Sequence, residues 1–137
     1  MSSANLNLVH SIVAAHERGD FSSAAWAHPE IEYMIADGPS PGRWKGPAGM
    51  AEAFRGNLIG WKDFRIEADE YRELDDERVL VLTRSTARGR AGALVAGQMR
   101  AKGAVLYQLG AGRVTRLVYY WNRERALADA GLSEARR

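Results

Sequence analysis

The chain of 137 residues contains no cysteine, and this absence excludes several classes of chemistry. Disulfide frameworks, thiolate zinc sites, iron–sulfur clusters and cysteine nucleophiles all require a thiol. The sequence also lacks an HExxH pair, a GxGxxG or P-loop spacing and a Ser-His-Asp arrangement, and its three histidines do not have the spacing of metal ligands. We therefore expect neither a metal site nor a cofactor.

The sequence also has no concentrated basic patch and no long apolar segment. The 19 Lys and Arg residues against 17 Asp and Glu leave a net charge of +2, and the basic residues are scattered, whereas nucleic-acid-binding proteins concentrate them in a patch. No stretch approaches the roughly 20 apolar residues of a membrane span, and Asn5, Asn7 and His10 interrupt any apolar segment of a signal peptide. The sequence predicts a cytoplasmic protein with no nucleic-acid or membrane partner, folded as one domain over residues 1–137.

The first segment has the apolar spacing of an amphipathic helix. The residues at i, i+3, i+4 and i+7 are Val9, Ile12, Val13 and His16. Gly19 ends this helix, and a short second helix is expected over 22–27, because Pro29 disfavours a helix beyond His28.

Residues 30–36 alternate in polarity as a strand does. Ile31, Tyr33 and Ile35 share one face, and Asp37 continues the same parity. Residues 37–49 hold three of the four prolines and predict a long irregular loop, of the kind that often carries function. Pro47 is placed for the first turn of another helix.

From Asp63 onward the pattern has period two, which predicts a sheet. The apolar run 79–82 indicates a central strand covered on both faces, Gly97 and Gly103 indicate bulges or bends, and 110–112 indicates a hairpin turn. A last strand over 113–121 and a closing helix over 124–132 complete the chain. Helices followed by a strongly bent antiparallel sheet predict an α+β fold in which the sheet wraps around the N-terminal helices and encloses a conical pocket.

Six local strings occur in order along nearly the whole chain. They are IVAAHERGD (12–20), HPEIEY (28–33), WKGPAG (44–49), DERVLV (76–81), GAGRV (110–114) and YYWNRERAL (119–127), the last followed by Gly131 and Leu132. In this order they resemble the nuclear transport factor 2-like superfamily, and in particular its SnoaL-like and ketosteroid-isomerase-like members. The resemblance implies a cone-shaped α+β barrel with a curved antiparallel or mixed sheet, a small apolar molecule inside it, and a homodimer formed through the outer sheet face. This fold hosts enzymes as well as proteins that only bind, so it does not by itself imply an activity.

The resemblance also implies a catalytic carboxylate. In isomerase-like members a carboxylate at the end of the first strand is the general base, and Asp37 falls at that place. Their hydrogen-bond donors to the enolate, a tyrosine and a protonated aspartate, match Ile12 and approximately Ala104, which cannot donate. The epoxide hydrolases of this fold use a linked Asp-Arg-Asp set, and we expect no aspartate beside Arg84 or Arg100.

Asp37 and His16 are the candidate catalytic residues. A carboxylate at the mouth of an apolar cone can act as a general acid or base, although an Asp-Gly-Pro string is also a common turn in which the Asp side chain binds backbone amides. His16 lies on an apolar helix face, where it either contacts a ligand or is a core histidine. The sequence leaves both alternatives open.

The predicted pocket is largely aromatic, which suits a ring-shaped ligand. Its candidate lining residues are Ile12, Trp26, Tyr33, Trp44, Phe54, Trp61, Tyr107, Tyr119 and Trp121. Some of them must instead belong to the core or to a dimer interface. Arginines 84, 88, 90 and 100 either anchor an anion or form a solvated or dimer-facing sheet surface.

Two functions follow from these residues. The first is a cofactor-independent isomerase, cyclase or dehydratase in which Asp37 moves a proton on a small apolar or aromatic-ring substrate. The alternative is a non-catalytic ligand-binding or dimerisation module of the same fold.

Overall fold

The computed structural model describes residues 3–18, 20, 25–37, 41–58, 61–89 and 98–131. The elements in chain order are α1 (Ser3–Glu17), β1 (Ala27–Ile35), β2 (Gly42–Lys45), α2 (Gly46–Leu58), β3 (Trp61–Glu73), β4 (Arg78–Gly89), β5 (Gln98–Gly110), β6 (Arg113–Tyr120) and α3 (Arg123–Asp129). The described strands form one sheet in the order β2-β1-β6-β5-β4-β3. Strands β1 and β6 pair in parallel and the other neighbours pair antiparallel. The predicted α+β fold with a mixed sheet is confirmed.

Helices α1 and α2 pack on one side of the sheet, which we call the inner face. Val9, Ile12 and Val13 of α1 are buried there, together with Met50 and Ala53 of α2. They meet apolar side chains from β1, β4, β5 and β6. The helical spacing seen in the sequence therefore marks the side of α1 that faces the sheet, as predicted.

Helix α3 packs on the opposite side, the outer face, where Ala126 and Leu127 are buried. The strand residues 79–82 show that the sheet is covered on both sides. Val79 and Val81 belong to the inner core, and Leu80 and Leu82 belong to the outer one. The predicted doubly covered strand is confirmed.

The predicted loop over 37–49 is wrong for most of its length. Residues 42–45 form β2, which pairs with β1 so that Trp44 lies opposite Tyr33, and α2 begins at Gly46. Residues 38–40 lie outside the described ranges. Strand β2 escaped sequence analysis because it is short, flanked by prolines and carries one apolar side chain, Trp44, so its alternation gives no signal.

The start of β1 also differs from the prediction. The short helix expected over 22–27 is wrong at its end, since Ala27 begins β1 and the amide of Val114 donates to the carbonyl of Trp26. Residues 21–24 lie outside the described part of the chain. Pro29 lies where the β1–β6 register shifts, between Ala27 and Glu32. An irregular pairing tolerates a proline in a strand, so Pro29 does not mark a helix end.

Gly103 is not a bulge in the pairing with β4, where the register runs unbroken through Thr83 and Gly103. It is a glycine because a Cβ there would collide with the carbonyl oxygen of Tyr120. The β5–β6 register shifts instead between Gln108 and Leu109. Gly97 lies outside the described residues.

The hairpin turn predicted over 110–112 is confirmed, and the closing helix predicted over 124–132 is present as α3 but ends earlier, at Asp129. Ala111 and Gly112 both have positive φ, 53° and 78°, as a tight two-residue hairpin turn requires. Asn122 caps α3 by accepting a hydrogen bond from the Arg125 amide, and Gly131 follows the helix with a φ of 79°. None of the helices in the described ranges has the length and hydrophobicity of a membrane span.

Candidate functional site

Asp37 follows β1 on the side predicted from its parity. Ile31, Tyr33 and Ile35 are all buried in the inner core, and Asp37 comes two residues after Ile35. Its carboxylate lies close enough to Tyr119, another inner-face residue, to affect that side chain electrostatically. The alternation of β1 thus delivers a carboxylate to the inner face, as expected.

One carboxylate oxygen of Asp37 has a structural partner. Oδ1 accepts a hydrogen bond of 2.6 Å from the backbone amide of Trp121. Next to it, the amide of Ala36 donates to the carbonyl of Tyr119 at 2.9 Å. If Asp37 were only a turn residue, it would accept from a backbone amide of its own turn. It does accept from a backbone amide, but that amide belongs to Trp121, which directly follows β6.

Three buried polar atoms in this region have no hydrogen-bond partner among the described residues. They are Asp37 Oδ2, Thr83 Oγ1 and Trp121 Nε1. More than nine in ten buried polar groups in proteins are paired, and leaving one unpaired costs about 1–3 kcal/mol. Because a bound molecule can satisfy such atoms, these three are candidate positions for contact with a ligand.

The register of the sheet brings Thr83 close to the backbone of Trp121. Thr83 has the parity of the inner-face residues Val79 and Val81 and lies opposite Gly103 on β5. A Cβ on Gly103 would be 3.4 Å from the Cα of Trp121. Because Gly103 has no side chain, the backbone of Trp121 comes over it, beside Thr83.

Ser85 and Tyr119 complete the region. Their hydroxyl oxygens are 3.1 Å apart, and the Tyr119 ring meets the Trp121 ring edge to face at 5.6 Å. Burial raises the pKa of Tyr119 and the Asp37 charge adds to this, while the hydrogen bond with Ser85 acts the other way. Tyr119 is therefore a neutral phenol at physiological pH. We call these five residues the polar cluster: Asp37, Thr83, Ser85, Tyr119 and Trp121.

Helix α3 supports the polar cluster from the outer face. The Arg123 guanidinium donates to the carbonyls of Thr83 at 2.7 Å and Gly103 at 3.3 Å. Arg125 donates to the carbonyl of Ala36 at 3.0 Å. Two arginines of one helix thus hold the backbone beside Asp37 and at Thr83, which restricts the positions of both side chains.

His16 belongs to a second group of side chains on the inner face. Its ring is 6.1 Å from Trp26 and 5.9 Å from Phe54. Tyr33 continues the series, at 5.3 Å from Phe54 and 5.8 Å from Trp44. We call these five residues the aromatic group. Tyr33 also interacts electrostatically with Tyr119, so the aromatic group adjoins the polar cluster.

Burial decides the charge of His16. It lowers the pKa of His16 to about 4, although the nearby Asp20 charge acts in the opposite direction. The imidazole is therefore neutral at pH 7. A neutral imidazole among aromatic rings can pack in the core or hydrogen-bond to a ligand, so both alternatives that the sequence left open persist.

The remaining predicted lining residues are placed as follows. Ile12 and Tyr107 are each 2% exposed and pack within the inner core. Trp26, Trp44, Phe54 and Trp121 are half-buried and pack against that core. Trp61 begins β3, and its side chain lies outside the described part of the structure. The half-buried aromatic residues are therefore the better candidates for contact with a ligand.

The donors expected from the isomerase-like proteins are absent at the matching positions. Ile12 is apolar, and Ala104 lies in the outer core, so its side chain does not reach the inner face. Thr83 was not among the candidate residues from the sequence, and Trp121 was expected there only as an aromatic lining residue. The signal for Thr83 was present, because Thr83 and Ser85 continue the inward parity of Val79 and Val81.

The expectation that no aspartate lies beside Arg84 is wrong. Asp69 Oδ1 is 2.6 Å from Arg84 Nε, and its Oδ2 is 2.8 Å from Arg123 Nη2. The β3–β4 register shifts between Ala68 and Glu70, where Asp69 lies. Hydrogen bonding by Arg123 and then by Arg84 holds the pKa of Asp69 below its usual range. The Arg84 side chain is 54% exposed, which supports the alternative of a solvated sheet surface. The side chains of Arg88, Arg90 and Arg100 lie outside the described residues.

A groove of about 210 Å³ lies over β1, β2 and β6. Its charged lining residues are Glu32, Arg43, Lys45 and Arg116. Three cations and one carboxylate suit a polar partner better than an apolar ring, so the polar cluster remains the stronger candidate for the predicted ligand. Within the described ranges, no group of three His, Asp or Glu side chains has the arrangement of a metal site.

Comparison with known proteins identifies the fold. No protein-family model matches the chain, and no curated protein matches it. Among solved structures, a protein of the nuclear transport factor 2-like type from Burkholderia pseudomallei is similar with a TM-score of 0.75 and 19% identity, over 92% of this chain and 96% of that one. TerC, co-crystallised with polyporic acid, is similar with a TM-score of 0.73 and 18% identity, over 95% and 98%.

A third similar structure is a protein with a ketosteroid-isomerase-like fold from Catenulispora acidiphila, in complex with trimethylamine. Its TM-score is 0.68 at 12% identity, over 91% of this chain and 92% of that one. All three similarities extend over nearly the full length of both chains and accompany the element order described above. The chain therefore has the nuclear transport factor 2-like fold, which it shares with SnoaL-like and ketosteroid-isomerase-like proteins.

Proposed function

We propose that the chain binds a small, mostly apolar ring compound on the inner face and that Asp37 moves a proton on it as a general acid or base. One observation carries this proposal. Asp37 is held through Oδ1 by the Trp121 amide, whereas Oδ2 is buried and has no partner among the described residues. A fixed carboxylate with one unoccupied oxygen is suited to proton transfer.

The reaction class follows from what a single carboxylate can do. Asp37 takes a proton from a carbon next to a carbonyl group, which converts the carboxylate to the acid and the substrate to its enolate. Return of that proton to another carbon gives an isomer and restores the carboxylate, so no cofactor is consumed. Positioned acid–base groups contribute about 10²- to 10⁴-fold to such steps.

The similar structures support a small-molecule site on this fold. One was crystallised with polyporic acid and another contains trimethylamine. In this chain Trp26, Trp44 and Phe54 of the aromatic group are half-buried on the inner face, where flat apolar surfaces suit the binding of a ring. His16 is a neutral imidazole there, and an imidazole can accept a hydrogen bond from a ligand or donate one to it.

A binding protein without catalysis is the second candidate. The observation that favours it is the apolar character of Ile12 and Ala104, the positions where the isomerase-like proteins carry their donors. This alternative predicts that a ring compound binds on the inner face and is released unchanged.

Hydrogen–deuterium exchange tests the proposed function. The probe is 2-tetralone, an enolisable bicyclic ketone, incubated in D₂O and followed by ¹H NMR. We expect the wild-type chain to accelerate exchange next to the carbonyl, and Asp37→Asn to lose this acceleration by about 10²-fold or more. The asparagine keeps an oxygen that accepts from the Trp121 amide, so the fold is preserved.

Asp76→Asn is the matched control, because Asp76 is an exposed turn residue whose carbonyl, not its side chain, accepts from Asn5. We expect it to exchange at the wild-type rate. Exchange by Asp37→Asn at the wild-type rate would overturn the catalytic proposal. Binding of 2-tetralone by the wild type without any exchange would favour the binding-only alternative.

We also propose that the chain forms a homodimer through the outer face of its sheet. Met34, Leu74 and Leu106 pack only partly buried against the outer core, so apolar surface remains on that face. Light scattering is expected to give the mass of a dimer at micromolar concentration, and the mass of a monomer would contradict this. The cytoplasmic location stays a prediction, which fractionation of the native host would check.

A further inference from the structure

We propose that the groove over β1, β2 and β6 binds the phosphate group of a small phosphate monoester through Arg43, Lys45 and Arg116. These three residues line the groove together with Glu32 and Met34. Met34 packs against the outer core, so the groove lies on the outer face of the sheet. It is therefore a second site, independent of the function proposed for the inner face.

The strand register brings the charged side chains of the groove to one face. Lys45 on β2 and Arg116 on β6 both lie opposite Glu32 on β1, one on each side of it. Arg43 lies opposite Met34, further along β1. Residues that lie opposite each other on neighbouring strands share a face. Neighbouring strands are about 4.8 Å apart, so β2 and β6 are separated by roughly 10 Å, and the long side chains of Arg43 and Arg116 can reach one ligand above β1.

The charges of the groove are not balanced from within the chain. Its three cations and one carboxylate leave it with a net charge of +2. The side chains of Arg43 and Arg116 make no hydrogen bond or ion pair with another residue of the described ranges. Lys45 pairs with Glu30 at 3.8 Å, and both of these side chains are largely exposed. Two guanidinium groups are thus available to bind an anion.

Protection of a sheet edge accounts for some of these charges but not for all of them. Charged side chains on an edge strand hinder pairing with another chain, and β2 is the edge strand of the described sheet. Arg43 and Lys45 are exposed on that strand, whereas Arg116 is half-buried on β6, two strands further in. Partial burial removes water from the Arg116 guanidinium, and a bound anion supplies the hydrogen bonds that this water no longer makes.

Size and charge specify the ligand. The groove of about 210 Å³ is smaller than the roughly 300–1,000 Å³ of pockets for drug-sized ligands, so its ligand is small. A phosphate monoester carries a charge of about −1.5 to −2 at pH 7 and has three acceptor oxygens, which suit a net charge of +2 and three cations. The planar fork of a guanidinium group matches the geometry of phosphate oxygens. Met34 is half-buried and offers an apolar contact for the organic part of the ligand.

A pair of matched phosphate probes tests the proposal. The first is phenyl phosphate, which carries close to two negative charges at about pH 7.5. The second is methyl phenyl phosphate, an ester with the same ring and one negative charge. Affinities are measured by titration of the ¹⁵N-labelled chain in two-dimensional NMR at an ionic strength of about 0.01 M, where exposed charges are little screened.

We expect the wild type to bind phenyl phosphate roughly tenfold more tightly than the ester, as one charge-assisted hydrogen bond would give. Arg43→Gln and Arg116→Gln should each weaken the binding of phenyl phosphate by a similar factor. Glu32→Gln should tighten it severalfold, because this substitution removes a carboxylate that repels the anion.

Arg113→Gln is the matched control, because Arg113 is exposed on β6 and is not among the residues that line the groove. We expect this variant to bind phenyl phosphate as the wild type does. If it weakens binding as much as the groove variants do, the anion is held by general surface charge and the proposal is overturned. Equal binding of the two probes would also overturn it.

The Glu32→Gln variant keeps the test decisive if Arg116→Gln folds poorly, since damage to the fold does not tighten binding. Unchanged or weaker binding of phenyl phosphate by Glu32→Gln would contradict the proposed position of the anion. An absence of signal shifts at millimolar phenyl phosphate would overturn the site as a whole. Neither result affects the function proposed for Asp37, which is tested with a different probe on the opposite face.

Discussion

Replacing His16 by leucine is expected to make the free energy of unfolding less sensitive to acid. Burial lowers the pKa of His16 from its ordinary value of 6.5 to about 4. Between these two values the unfolded chain binds a proton that the folded chain does not. The stability that His16 contributes as a neutral side chain is therefore complete above about pH 6.5 and decreases as the pH falls toward about 4.

The size of the effect follows from the two pKa values. A difference of one unit corresponds to about 1.4 kcal/mol, so the full effect is roughly 3 kcal/mol. Because protonation and unfolding are coupled, the free energy of unfolding should fall by about 1 kcal/mol at about pH 5.5 and by about 2 to 3 kcal/mol at about pH 4.5. For a domain with an unfolding free energy of about 5–15 kcal/mol this is a large change.

Urea denaturation at about pH 7.5, 5.5 and 4.5 measures the effect. His16→Leu keeps an apolar side chain of similar length, so it should match the wild type near pH 7.5 and exceed its stability by about 2 to 3 kcal/mol near pH 4.5. Ile12→Val, one turn earlier on the same helix face, is the control and should cost about 1 kcal/mol at every pH. Parallel loss of stability by His16→Leu and the wild type on acidification would refute the reasoning.

Three further variants test the packing around the site by urea denaturation. Thr83→Val removes a buried hydroxyl that has no partner among the described residues, so without ligand it should leave the free energy of unfolding unchanged or raise it by about 1 kcal/mol. A loss of about 2 kcal/mol or more would show that the hydroxyl has a partner. Gly103→Ala should lower the free energy of unfolding by about 1–3 kcal/mol or more, because its Cβ collides with backbone. Gly110→Ala is the control: its Cβ meets only a methyl group at 3.4 Å, so it should cost about 1 kcal/mol or less. Equal costs for the two variants would contradict the steric role of Gly103. Arg123→Gln should cost about 1–3 kcal/mol of unfolding free energy, since it removes the side chain that donates to the Thr83 carbonyl. Arg84→Gln, at an exposed position, is the control and should cost less than about 1 kcal/mol. The reverse order would show that the hydrogen bonds of Arg123 from α3 do not stabilise the sheet.

Much of the fold could be predicted because local patterns and tertiary packing agree. The alternation that buries Ile31, Tyr33 and Ile35 on the inner face predicted that Asp37 lies on the same side. The apolar run 79–82 indicated a strand covered on both sides. In both places one face of a strand needs burial, and a period of two reports which residues share that face.

The errors arose where a partner strand, and not the local pattern, determines the structure. Strand β2 carries one apolar side chain and is held by pairing with β1, and Pro29 is accommodated by an irregular β1–β6 register. The contact of Asp69 with Arg84 depends on a register shift in β3. Strand register is a property of two chain segments, so a single segment does not reveal it.

The candidate site was predictable in part for the same reason. Asp37 and Trp121 were both singled out from the sequence, one as a carboxylate and the other as an aromatic wall. Their hydrogen bond joins residues 84 positions apart, and no local pattern reports it. Thr83 becomes a candidate only when the sheet places it on the inner face, where its hydroxyl has no partner among the described residues.

A crystal structure of the chain with 2-tetralone tests the central claim most directly. The proposed function predicts that the ketone lies on the inner face beside the aromatic group, with the carbon next to its carbonyl facing Asp37 Oδ2. A ketone bound away from Asp37, while another group of the protein or an ordered water satisfies Asp37 Oδ2, would contradict it.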